Sequence, residues 1–170
     1  MDPDIWACWM RILKAVSESV LWLKFKPAED AMKNLKAEAV RLGVSSKRII
    51  LAENLPDRET HLSRMAVADL YLDCPLYNGH ASAMDALHAK VPILTVKGNR
   101  FCNRVGESFC KNLDLQEMIC KDLRKYEEKA IELGLLPSKL LPLRKKIQKN
   151  ADAVLCPVEH TKRFEVSLDA

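Results

Sequence analysis

Apolar residues at the start of the chain recur with helical spacing. Ile5, Trp6, Trp9, Ile12 and Leu13 fall at i, i+1, i+4, i+7 and i+8, and Pro3 suits an early helical turn. This predicts a helix over residues 3–16. The period then changes. Residues 19–25, SVLWLKF, are rich in Val, Trp and Phe and predict a strand that Pro27 ends. A helix is predicted over 29–42, closed by Gly43 just past its last turn. Strands follow over 47–53, 69–73 and 92–96. Between them lie helices over 58–66, capped by Asp57, and over 81–89, stopped before Pro92. From Phe101 onward the pattern is helical, with helices over 121–133 ending at Gly134, over 137–151 and over 160–168.

Strands that alternate with helices of this length pair in parallel through right-handed crossovers. The expected fold is α/β: a doubly wound, Rossmann-like parallel sheet with helices on both faces and a helical C-terminal tail. A length of 170 residues suits one domain with a full core. We expect a single unit over 1–170, with its core in 19–110 and the tail in 115–170. In open α/β sheets ligands bind outside the carboxyl ends of the strands. That directs attention to the loops 53–57, 73–80 and 96–101.

Composition changes this picture little. A net charge of +4 is mildly basic and lacks the one-sided concentration that nucleic-acid binding requires, so no nucleic-acid partner is expected. The densest basic run, Arg144-Lys145-Lys146, reads as the solvated face of a helix. Cys8, Cys74, Cys102, Cys110, Cys120 and Cys156 form no CxxC pair and have no histidines at zinc spacing. Scattered cysteines in a well-sized core fit reduced thiols in a cytoplasmic or nuclear protein. The start, MDPDIWACWM, does not read as a signal peptide, and no apolar run approaches a membrane span, so no membrane partner is expected.

The stretch LDCPLYNGHASAMD, residues 72–85, holds the candidate chemistry. Gly79 admits unusual backbone angles and close ligand approach. The residues after it open a helix, whose first N–H groups lack internal partners and carry partial positive charge. His80 and Ser82 add side-chain donors, and Asp85, one turn on, can accept from a sugar diol. The group suits a nucleotide diphosphate. A tight turn, with Asn78 and Gly79 present for geometry and His80 as an exposed cap, explains the stretch equally well. In LPDRETHLSRM, residues 55–65, Arg58, His61 and Arg64 share one side of a helix while Leu62 and Met65 face the sheet. Alone they read as a solvated face. With the first loop, they favour an anionic, nucleotide-like ligand. His88 and His160 read as structural or surface residues, Asp73 as a loop anchor, and Trp6, Trp9 and Trp22 as core. No triad or metal site presents itself.

At this point the sequence resembles a family. DPDIWACWMRILKAVSESVLWL, KRIILAENLPDRETHLSRMAVADLYLDCPLYNGHASAMDALHAKVPILTV and GNRFCNRVGESF are similar to the carboxyl-terminal catalytic lobe of the O-linked N-acetylglucosamine transferases. LD-x-PL-x-NGH, the preceding H-x-x-R-x-x-x-AD and the following MD are specific together. The likeness implies one lobe of a GT-B glycosyltransferase. Such enzymes move N-acetylglucosamine from UDP-GlcNAc to protein Ser or Thr hydroxyls, with inversion and no required metal or other cofactor. It implies that backbone groups of Leu55 and Pro56 meet the uracil, that His61 stacks on the base, and that Arg64 sits beside it. Arg58 stands near the ribose, where relatives have Lys, and Asp85 binds the ribose hydroxyls. His80, Ala81 and Ser82 cradle the diphosphate.

Some positions depart from the pattern. Relatives often have two threonines where Ala81 and Ser82 stand, and a glycine at Ala83. Residues 99–102 also differ. The family's diphosphate-neutralising lysine lies just ahead of the aligned Asp2-Pro3. The second catalytic lobe and the tetratricopeptide repeats, with a helical period of about 34 residues, have no counterpart here. The expected partners are therefore the UDP-sugar donor, that second lobe with its repeats, and protein acceptors reached through them. No catalytic residue is assigned within the chain beyond leaving-group stabilisation by His80 and Ser82, and the chain alone is expected to be inactive. The alternative is a non-catalytic nucleotide- or protein-binding module derived from that lobe.

Overall fold

The computed structural model describes residues 2–24 and 29–168. Helix α1 (Pro3–Ala15) opens where Asp2 accepts hydrogen bonds from the Asp4 and Ile5 amides, with Pro3 in its first turn. Strand β1 (Leu21–Leu23) follows, then α2 (Glu29–Arg41), β2 (Ile49–Leu51), α3 (Arg58–Met65) and β3 (Tyr71–Leu72). Next come α4 (Ala81–His88), β4 (Ile93–Val96), α5 (Val105–Asn112), β5 (Ile119–Cys120) and α6 (Leu123–Leu135). Helices α7 (Leu140–Asn150), α8 (Asp152–Leu155) and α9 (Pro157–Leu168) complete the chain. The fold is α/β with parallel strands flanked by helices, as the alternating pattern predicts. Gly43 ends α2 with a φ of +80°, the conformation a glycine stop requires. The end of the predicted first strand, from Phe25, and Pro27 lie outside the described residues, as do the ends at Met1 and 169–170.

Three expectations need correction. Residues 101–170 are not wholly helical, because β5 pairs with β4 in parallel register, Thr95 opposite Ile119 and Val96 opposite Cys120. The strands also do not form one ladder: β1 pairs with β2, and β3-β4-β5 form a separate group. Finally, α6 runs through Gly134 rather than stopping before it. A Cβ there would stand 2.8 Å from a Val16 methyl, so this glycine lets α6 approach the end of α1.

The core is a continuous apolar cluster under α1, the strands, α5, α6 and α7. Trp6 and Trp9 belong to it, as expected. Trp22 does not: it is 37 % exposed between buried Leu21 and Leu23. The turn joining α1 to β1 is held by Arg48, whose guanidinium donates to the carbonyls of Leu13, Val16 and Ser19, each at 2.7 Å. Those carbonyls include the last orphan acceptors of α1, so one side chain caps the helix and anchors β1. Arg144, read from sequence as solvated, donates to the Ala68 and Lys90 carbonyls, and Lys146 pairs with Glu117. The six cysteines are free. Burial pushes the Cys8 and Cys110 thiols up to about 12 and that of Cys120 to about 11, which leaves them unreactive.

Candidate functional site

The loop after β3 is built around two fully buried polar residues, Asp73 and Asn78. Asp73 Oδ1 accepts from the Gly79 amide at 2.8 Å and the Cys74 amide at 3.0 Å, and Oδ2 accepts from the Thr95 hydroxyl at 2.9 Å. The Asn78 side chain donates to the Cys74 carbonyl and accepts from the Gly106 amide, both at 3.0 Å, while its own amide donates to the Cys102 carbonyl at 2.8 Å. Beneath the loop, Trp9 donates to the Tyr126 hydroxyl at 3.2 Å, and that hydroxyl donates to the Asp73 carbonyl at 3.1 Å. The loop anchor expected at Asp73 is therefore present, and Asn78 is its second half. Burial dominates the Asp73 carboxyl and raises its pKa to about 6, against the donors that favour its charged form.

Gly79 is needed for space, not for backbone angles, since Gly43 is the one glycine with positive φ among the described residues. A Cβ at Gly79 would run into the Tyr71 hydroxyl and lie 2.6 Å from Ser82 Oγ. Those two hydroxyls are themselves hydrogen-bonded at 2.8 Å. His80 occupies the N-cap position of α4 but makes no capping bond. Its ring stacks on Tyr77, with centroids 5.1 Å apart, and takes the edge of Phe101 at 5.8 Å. Its Nε2 is buried and has no hydrogen-bond partner. A buried, unpartnered nitrogen at an open helix start is poised for an acceptor that the protein itself does not supply.

The second cationic group lies on α3, whose N-cap Asp57 accepts from the Thr60 amide at 2.7 Å, as its spacing predicts. The buried residue of this helix is His61, while Leu62 and Met65 are half-buried, so the expected division of its faces is only partly right. His61 Nε2 lies 3.2 Å from Asp85 Oδ2 on α4, and Arg58 Nη2 lies 3.5 Å from Asp85 Oδ1. Lys24, absent from the residues picked out by sequence, stands 3.3 Å from the His61 ring at the end of β1. Arg64 turns away from this cluster and donates to the Glu53 carbonyl at 2.7 Å. Leu55 is half-buried and Pro56 exposed in the loop before α3, and Ala81 and Ser82 are exposed at the start of α4.

His61, Arg64, Gly79, His80, Ala81 and Ser82 line one cavity of about 1580 Å³, whereas Leu55, Pro56, Arg58 and Asp85 are not among its lining residues. Tyr77 and Phe101 were not singled out from sequence. Nothing in their local pattern shows that two residues 24 positions apart flank the same imidazole. His88 is exposed, in line with a surface role, and the His160 side chain lies outside the described residues. Among the described residues no group of three or more His, Cys, Asp or Glu side chains could hold a metal ion, and no helix is long and apolar enough to cross a membrane.

Comparison with known proteins places the chain in a family. The chain is 37 % identical over 170 residues to a probable UDP-N-acetylglucosamine–peptide N-acetylglucosaminyltransferase SEC of Arabidopsis thaliana, covering 99 % of this chain and 17 % of that protein. It is 31 % identical over 147 residues to the UDP-N-acetylglucosamine–peptide N-acetylglucosaminyltransferase of Caenorhabditis elegans, covering 86 % of this chain and 13 % of that one. The chain thus spans about a sixth of the length of such relatives. A mutant O-GlcNAc transferase of Thermobaculum terrenum superposes with a TM-score of 0.89 at 23 % identity, over 99 % of this chain and 33 % of that one. Its likeness shows the fold, that of one lobe of a GT-B enzyme. The model for glycosyl transferase family 41 matches residues 1–164, and the chain belongs to that family.

Proposed function

We propose that the chain is the donor-nucleotide lobe of a protein O-GlcNAc transferase of the cytoplasm or nucleus. In this reading it holds UDP-GlcNAc while N-acetylglucosamine passes, with inversion, to a Ser or Thr hydroxyl of a protein acceptor. The observation that carries the reading is the buried, unpartnered Nε2 of His80 at the start of α4. A diphosphate oxygen placed there accepts from His80 and from the first amides of α4, at Ala81 and Ser82. When the bond between the anomeric carbon and the diphosphate oxygen breaks, its electron pair stays on that oxygen. These donors then stabilise the charge, and the acceptor oxygen completes the new bond and loses its proton.

The rest of the site supports the nucleotide. His61 and Asp85 already touch, so a base stacked on the imidazole brings its ribose hydroxyls to the carboxylate. The backbone of Leu55 and Pro56 lies just ahead on the same loop, with Arg58 beside Asp85. Arg64 acts through the loop, which it ties down at Glu53. We assign no metal ion to this chemistry. The acceptor, the second lobe and the proton-accepting group lie outside the residues of this chain, which alone binds nucleotide without transferring sugar.

Calorimetric titration with UDP, with ADP as control and His80→Ala as a second protein, tests the reading. Binding that favours UDP over ADP and weakens about tenfold or more in the variant supports it, because one charge-assisted hydrogen bond is worth about 1.5–3 kcal/mol. Binding that leaves His80→Ala unchanged refutes the phosphate cradle.

A further inference from the structure

Lys24 follows the last residue of β1 and lines the same cavity as His61. Its Nζ lies 3.4 Å from His61 Nδ1 and 3.3 Å from His61 Nε2. Those two distances fix where the ammonium stands. In the plane of the ring, a point at that range from both nitrogens overlaps Cε1 on one side or the Cγ–Cδ2 bond on the other. The ammonium therefore stands over a face of the imidazole. The lone pair of a ring nitrogen lies in the ring plane, so the contact is a cation held over an aromatic face rather than an in-line hydrogen bond.

The rest of the ring is spoken for. Asp85 Oδ2 takes the Nε2 edge at 3.2 Å, and His61 as a whole is buried. Lys24 itself is exposed, so the face under its ammonium is the one turned toward solvent. A base that stacks on His61 enters at that face, where the ammonium stands in the free chain. Lys24 yields without leaving. Leu23, its neighbour, is fixed in the β1–β2 ladder, and the Leu23 carbonyl accepts from the Ala52 amide at 2.8 Å. The backbone is thus anchored while the four-carbon stem swings. A base that slides in pushes the ammonium to its own rim and takes the apolar stem against its outer face. The displaced ammonium then needs an acceptor. Asp85 is already shared between Arg58 and His61, and no ion pair engages Lys24 among the described residues.

We propose, resting on the nucleotide reading above, that Lys24 reads the base: it forms the wall opposite His61 and donates to a carbonyl oxygen on the rim of the base. An ammonium has donors only. Uracil offers it two carbonyl oxygens and no amino group. Cytosine offers one carbonyl beside an amino group, and adenine offers an amino group and no carbonyl. Uracil therefore replaces the lost ring contact with a charge-assisted hydrogen bond, and cytosine does so in part. Adenine displaces the ammonium and returns nothing. No other side chain picked out in this site makes that distinction. Stacking on His61 is open to any base, because every base has a π face. The cradle at the start of α4 meets the diphosphate, which all of these nucleotides share.

Calorimetric titration of the parent and of Lys24→Met with UDP, CDP and ADP tests this. Methionine keeps an unbranched apolar stem and removes the donors. Lys24 is exposed, so the variant is expected to fold, which circular dichroism checks. The parent is expected to bind UDP more tightly than CDP, and CDP more tightly than ADP. In the variant UDP is expected to lose about tenfold while ADP binds no more weakly than before, so the preference for UDP over ADP shrinks about tenfold. A preference within about twofold of the parent's, in a variant that still binds UDP, overturns the proposal. An equal loss for all the nucleotides also overturns it, because it assigns the ammonium to the shared diphosphate. His80→Ala keeps the two ideas apart. If it weakens UDP and ADP alike, the phosphate cradle holds, and the base preference is then decided by Lys24→Met alone. A folded parent that binds none of the nucleotides overturns both the nucleotide reading and the role of Lys24.

Discussion

Asp73→Asn and Asp73→Ala, compared across pH, separate what this carboxyl does by hydrogen bonding from what its charge costs. Its pKa is raised from 3.8 to about 6, chiefly by burial, while hydrogen bonds from Gly79, Thr95 and Cys74 and the nearby His80 pull the other way. A raised pKa means that the native chain holds this proton more tightly than the unfolded chain does. The stability it contributes is complete below about pH 4 and is lost as pH rises through about 6. That shift is worth about 3 kcal/mol. An asparagine keeps an oxygen for the Gly79 and Cys74 amides and offers its nitrogen to the Thr95 hydroxyl, with no proton to lose. Asp73→Asn is thus expected to match the parent near pH 4 and to exceed it by up to about 3 kcal/mol near pH 7.5. Alanine leaves the buried Thr95 hydroxyl and the part-buried Gly79 and Cys74 amides without this acceptor, at about 1–3 kcal/mol for the buried one, and is expected to be less stable than asparagine at both pH values. Urea unfolding followed by circular dichroism measures all three proteins. A gap between Asn and parent that stays constant from about pH 4 to about pH 7.5 would refute the argument, as would equal stability of Ala and Asn.

Other outcomes follow from the same contacts. Gly106→Ala drives a Cβ into Asp73 Oδ2 and to 2.5 Å from Thr95 Oγ1, and a loss of about 1–3 kcal/mol is expected in the same urea assay; an unchanged midpoint would show that the contact yields freely. Arg48→Met strips the α1–β1 turn of its donors, with an expected cost of about 2–3 kcal/mol and faster amide exchange at the end of α1, whereas an effect confined to exposed residues would contradict the clasp. Asp85→Ala removes the exposed Arg58 contact, worth little, and the contact with buried His61, so a stability loss of about 1–3 kcal/mol is expected. UDP affinity measured by calorimetry should also fall about tenfold in that variant, and unaltered affinity would remove Asp85 from the ribose site.

The alternation of strand and helix was legible because α1 and α2 are long and several boundaries carry a cap, a glycine or a proline. Asp57, Gly43 and Pro92 all stand at or just beyond element ends, as their chemistry requires. β5 was not legible. Two residues, Ile119 and Cys120, are too few to show a period of two, and they become a strand only because β4 offers an edge. Gly134 misled for a related reason: a glycine that admits a neighbouring helix looks the same in sequence as one that ends a helix. Within the site, Arg58 and His61 of α3 do meet Asp85 of α4, while Arg64 bonds the Glu53 carbonyl and His80 packs on Tyr77 and Phe101. Lys24, Tyr77 and Phe101 join them from other loops through contacts between distant positions, which no local pattern reports. The burial of His61 likewise depends on how α3 meets α4 and the end of β1.

The line of hydrogen bonds from Trp9 through Tyr126 to the Asp73 carbonyl gives the chain a built-in optical gauge. The chain has three tryptophans. Trp22 is the exposed one and opens to a soluble quencher, while Trp6 has no partner for its indole nitrogen. With Trp6 and Trp22 replaced by phenylalanine, the remaining emission comes from an indole two hydrogen bonds from the root of the 73–80 loop. Any event that shifts this loop alters that indole's surroundings, so occupancy can be followed on the unlabelled protein by the colour and lifetime of its own fluorescence.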